Sequence, residues 1–172
     1  MAEAHDPVLQ RQKELLLGNM GANARMSIAI AAKPFVEFKR IEIQCPDRPG
    51  GNIDLIPEST GDADVRQLVH SEYTLKEASW TRMRVVFTVH NTVVLGLKIC
   101  AAVDAKVKLF KDEEILGTFP PKEETQEVLT EWVQTPDGFF KRGSYDSKLY
   151  FADADQLVHL VVDSKIKIAK QW

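Results

Sequence analysis

The chain has 172 residues, 44% of them apolar and 27% charged, with a formal net charge of −3. That length suits one domain plus an arm, and the composition is that of a soluble globular protein. The charge offers no basic face to nucleic acid, and no run of eighteen apolar residues predicts a transmembrane helix.

Met1 to Asp6 lack the basic and apolar regions of a signal peptide, and Lys170-Gln171-Trp172 is no prenylation box. The expected location is cytoplasmic, with no stable membrane insertion. Asp6-Pro7 reads as an N-cap followed by proline at the first helical position. A helix is predicted over about residues 7–17, stopped by Gly18. Leu9 and Leu16 share one face with Val8, Gln12 and Leu15. So short a helix is marginal alone in water and needs a partner surface. Residues 19–34 lack clear periodicity and read as a linker. Residues 1–34 are therefore expected to form an arm, and 35–172 a separate body.

From Phe35 the pattern changes to period two. Ile41 and Ile43 alternate with polar residues, as do Met83, Val85, Phe87 and Val89, with Val86 as an apolar intruder. Val93 to Val103 is nearly continuously apolar. Residues 106–110, 126–134, 143–151 and 157–168 are predicted as further strands. Turn signals stand between them at Arg48-Pro49-Gly50-Gly51, Pro120-Pro121 and Pro136-Asp137-Gly138. Seven or more short strands at this spacing predict an all-β antiparallel sandwich. In the last strand Val158, Leu160, Val162, Ile166 and Ile168 share an apolar face with Ser164. A serine there either bonds a neighbouring backbone group or faces a cavity.

Cys45 and Cys100 do not fit the immunoglobulin disulfide pattern, because the Trp spacing is wrong and Lys98 stands where a Tyr belongs. Free buried thiols are expected. No phosphate loop, dinucleotide glycine fingerprint or nucleophile elbow is present. His5, His70, His90 and His159 are scattered singly, away from metal-ligand spacing. Neither a catalytic site, nor a metal site, nor a cofactor is predicted, and the chain is not expected to be an enzyme. The acidic clusters Asp112-Glu113-Glu114, Glu123-Glu124 and Asp153 with Asp155 read first as solvated turns. A docking patch for a basic tail is the other reading.

Several segments resemble the Rho GDP-dissociation inhibitor family. Asp6 to Gly18 looks like the second helix of its regulatory arm. Tyr73-Thr74-Leu75-Lys76-Glu77 resembles its aromatic-x-Leu-Lys-Glu strand entry, and Val89 to Lys98 a stretch ending in Gly-[Leu/Met]-Lys. Arg142-Gly143-Ser144-Tyr145 and the terminal Ile166 to Trp172 are the most specific pieces. The resemblance runs from about Asp6 to Trp172.

It implies an immunoglobulin-like sandwich whose sheets part around a prenyl group, geranylgeranyl or farnesyl, and an arm that docks on a Rho-family small GTPase. Such a protein extracts the prenylated, GDP-bound GTPase from membranes and opposes nucleotide exchange. Carried over residue by residue, Asp6, Leu9, Gln12, Leu16 and Leu17 are expected against the switch regions. Ile41, Ile43, Tyr73, Val93, Leu97, Ser147 and Ser164 are expected at the prenyl pocket. Asp153 and Asp155 are expected to face the partner's polybasic tail. Departures from the family are specific. Only five residues precede Asp6, so a shortened arm is expected. Gln12 replaces an arm Tyr, and Ala154 the middle acid of the turn. Ser164 replaces a pocket Trp, and Ser147 a pocket Ile. These changes leave two alternatives: a carrier of lipidated proteins without nucleotide control, or an interaction scaffold that has lost lipid binding.

Overall fold

The computed structural model describes residues 34–56, 67–103 and 113–172. The predicted arm helix and the strand expected at 106–110 lie outside them. Ten strands are described: β1 (Phe35–Gln44), β2 (Ile53–Ile56), β3 (Gln67–Lys76), β4 (Trp80–His90), β5 (Val94–Val103), β6 (Glu113–Phe119), β7 (Lys122–Leu129), β8 (Val133–Gln134), β9 (Gly143–Ala152) and β10 (Val158–Ala169). They form two sheets, one in the order β2-β1-β4-β7 with β8 beside β4, the other β3-β10-β9-β5-β6. This is the expected immunoglobulin-like β-sandwich, with one pairing of a different sense: β3 runs parallel to β10.

The inner faces follow the alternation in the sequence. Thr81, Met83, Val85, Phe87 and Val89 point inward from β4, and Leu160, Val162, Ser164, Ile166 and Ile168 from β10. Tyr145, Ser147, Leu149 and Phe151 do the same from β9. Phe38 packs edge-on against Phe151, with ring centroids 4.9 Å apart, joining the two sheets through the core.

Two departures from strict alternation have local causes. In β1 the register against β4 slips between Phe38 and Arg40. The slip lets Phe38 and Ile41, three residues apart, both face the core. In β5 the register against β6 slips between Val94 and Leu97, so Val94, Leu95 and Leu97 are all buried. Gly96 sits in that slip with φ +55°, and a Cβ there would lie 3.3 Å from Cβ of Ala154. Both conditions favour glycine.

The outer face of the first sheet carries an ion-pair ladder. Asp54 of β2 accepts from Arg40 at 2.9 Å, and the same guanidinium forms an ion pair with Glu42 of β1 at 3.0 Å. Arg84 of β4 meets Glu42 at 3.5 Å and Glu127 of β7 at 2.6 Å. The exposed pairs of the ladder are worth about 0–1 kcal/mol each, while Glu42 at its centre is buried. Glu113 and Glu114, read in sequence as turn residues, open β6. The thiols are free, Cys45 buried but Cys100 half-buried, which corrects the expectation of two buried thiols.

Candidate functional site

The candidate pocket residues converge on the space between the sheets. Ile41 and Ile43 enter it from β1, Tyr73 from β3 and Leu97 from β5, all within one core cluster. Ser147 of β9 and Ser164 of β10 are buried beside them. Val93, just before β5, is buried but stands outside that cluster. These side chains are closed over by the sandwich as it stands.

The polar members form a pattern. Ser164 pairs in register with Ser71 of β3 on one side and Ser147 of β9 on the other. Three serines therefore stand in one row across three strands. The Ser71 and Ser164 hydroxyls are 2.7 Å apart. Ser164 thus bonds a side chain on the parallel neighbour rather than a backbone group. Ser147 Oγ and the Tyr73 hydroxyl are buried without a hydrogen-bond partner among the described residues. Burial pushes the Tyr73 phenol up and keeps it neutral. Ser164 lies near enough to oppose that shift, yet the pair lacks hydrogen-bond geometry.

The acidic turn between β9 and β10 differs from expectation. Asp153 is only 1% exposed. Its carboxylate accepts from Leu157 N at 3.0 Å and meets Nε2 of His159 at 3.0 Å. An acid with both oxygens engaged inside the turn is not displayed to a basic tail. Asp155 is exposed on the same turn. Asp6, Leu9, Gln12, Leu16 and Leu17 lie outside the described residues.

Sequence reasoning missed Ser71 and His159. Ser71 is identified only by the parallel β3–β10 register. His159 read as an ordinary strand histidine, although its six-residue spacing from Asp153 spans a turn that brings the pair together. Among the described residues, no cluster of three or more metal-ligating side chains is present, and no helix is long and apolar enough to cross a membrane.

Residues 1–171 match the family described as RHO protein GDP dissociation inhibitor. The chain belongs to the Rho GDP-dissociation inhibitor family. Rho GDP-dissociation inhibitor 1 of Bos taurus is 31% identical over 169 residues, covering 97% of this chain and 78% of that one. The protein of the same name from Arabidopsis thaliana is 32% identical over 168 residues, covering 97% and 66%. The Rho GDP-dissociation inhibitor of Saccharomyces cerevisiae is 28% identical over 116 residues, covering 65% and 57%. A solved CARDB domain from Pyrococcus furiosus aligns over 80% of this chain and 98% of that one at 14% identity, with a TM-score of 0.42, too distant to carry an argument. The Rho GDP-dissociation inhibitor relatives are named as regulators, not as enzymes.

Proposed function

We propose that the chain acts as a Rho GDP-dissociation inhibitor: it binds a prenylated, GDP-bound Rho-family GTPase, opposes loss of the nucleotide and carries the GTPase off the membrane. The family match across residues 1–171 carries this reading. The sandwich is consistent with it, because an isoprenoid needs an apolar interior between two sheets that can part. Burial is worth about 0.8 kcal/mol per methylene, so a geranylgeranyl chain contributes on the order of 10 kcal/mol at most, before ordering costs. That scale competes with a bilayer.

In this reading Ile41, Ile43, Tyr73, Val93, Leu97, Ser147 and Ser164 line the lipid site. Asp155 offers a charge to the GTPase's basic tail, while Asp153 shapes the turn that presents it. Residues 1–34 act as the arm, with Asp6, Leu9, Gln12, Leu16 and Leu17 against the switch regions. Holding those loops opposes GDP release because they must move for the nucleotide to leave. The test is the rate of fluorescent GDP release from a prenylated Rho GTPase. The full chain is expected to slow release, and a chain lacking residues 1–18 is expected to bind the lipid without slowing it. Equal inhibition by both chains would remove the arm from the mechanism, and no inhibition by either would refute the reading.

A further inference from the structure

The inner face of the β3–β10–β9 sheet is apolar except where Ser71, Ser164 and Ser147 form their row, with Tyr73 two residues from Ser71 on the same face. Ile166, Leu149 and Val162 surround the row along β9 and β10, each 0% exposed. The three buried hydroxyls of Tyr73, Ser147 and Ser164 and the half-buried one of Ser71 make one hydrogen bond among themselves, between Ser71 and Ser164. One hydrogen of that pair is left to spend, and Tyr73 and Ser147 have no partner among the described residues. A buried polar group left unmatched costs about 1–3 kcal/mol. The strands do not need these hydroxyls, since backbone ladders already join β3, β10 and β9. An alanine at 147 or a phenylalanine at 73 would hold the fold without that cost.

We infer that the hydroxyl row is a hydrogen-bonding subsite inside the sandwich, fitted to an apolar chain that carries one neutral oxygen, such as a hydroxylated isoprenoid, rather than to plain hydrocarbon. This rests on the reading of the interior as a lipid site. Neutrality follows from the surroundings: among the described residues no lysine or arginine is buried, so a carboxylate would lie there without a counter-charge. A hydroxyl can donate to one oxygen of the row and accept from another, matching both kinds of spare capacity.

Competition binding to the full chain tests the inference. The probe is a fluorescent farnesyl-cysteine. The competitors are farnesyl-cysteine methyl ester and two analogues hydroxylated at the chain end or mid-chain. In a purely apolar pocket a hydroxyl weakens binding by tenfold or more. Here at least one analogue is expected to bind as tightly as the plain chain. In the Tyr73→Phe/Ser147→Ala variant the affinity of that analogue relative to the plain chain is expected to fall about tenfold, whatever the change in their common affinity. The variant's Tm is expected to match or exceed that of the native chain, which separates the effect from misfolding. If both analogues suffer the same penalty in native and variant proteins, the inference falls and the lipid-site reading stands. If the native chain binds none of the three, the lipid-site reading falls and takes the inference with it.

Discussion

Single side chains set the chemistry available at the surface and the core. The Arg142 guanidinium lies 2.7 and 2.8 Å from the two oxygens of Glu77 and holds that carboxyl below its ordinary value of 4.5. The folded value is the lower one, so this pair stabilises the protein above the ordinary carboxylate value. The contribution is lost as pH falls through the folded value. Replacing Glu77 by Gln is expected to lower Tm near about pH 7 and to leave it unchanged in strong acid; a Tm deficit that persists in acid would contradict the assignment. The thiols differ in the same direct way. Burial pushes Cys45 up to about 11, and Cys100 is raised less and is half-buried. Iodoacetamide under native conditions is expected to label Cys100 well before Cys45, as read by peptide mass spectrometry. At this scale the sequence was legible in part. Alternation alone put Ser164 on the inner face of β10. Its bond to Ser71 was not legible, because it depends on a parallel pairing between residues far apart in the chain. Asp153 misled for a related reason: an acid in a turn reads as solvated until His159 is known to close over it.

The strands show where local pattern suffices and where it does not. β4 and β9 were readable because each presents one apolar face, and β10 because its slip against β9 falls at its start, between Val158 and Leu160. β1 was readable only in its second half, since the bulge after Phe38 shifts the inward positions by one. β6 was missed because Glu113-Glu114 resembles a turn, yet an edge strand with a solvent face accepts such residues. Gly96 marks the slip in β5 and the approach of the acidic turn, whose Ala154 N donates to Leu95 O at 2.8 Å. Gly96→Val is therefore expected to destabilise the protein by about 1–3 kcal/mol, from backbone strain at positive φ and from crowding of Ala154. Urea denaturation measures it, and a change under a few tenths of a kcal/mol would show that the bulge relaxes freely.

At the scale of the molecule, two sheets enclose one core, and the proposed activity depends on that core opening to admit a lipid. The fold class was legible from strand count, turn spacing and alternation. The proposed lipid site was not, because alternation reports which residues face inward and not whether the sheets can separate. The same limit applies to the arm helix predicted over about residues 7–17, which lies outside the described residues. The central claim is that this sandwich lifts a prenylated GTPase from a bilayer. The direct measurement is co-sedimentation of liposomes loaded with a prenylated, GDP-bound Rho GTPase, with the full chain added in increasing amounts. The account predicts that the GTPase moves into the supernatant in proportion to the added chain, while an unprenylated GTPase gains nothing from the lipid site. A prenylated GTPase that stays with the liposomes at every concentration would contradict it.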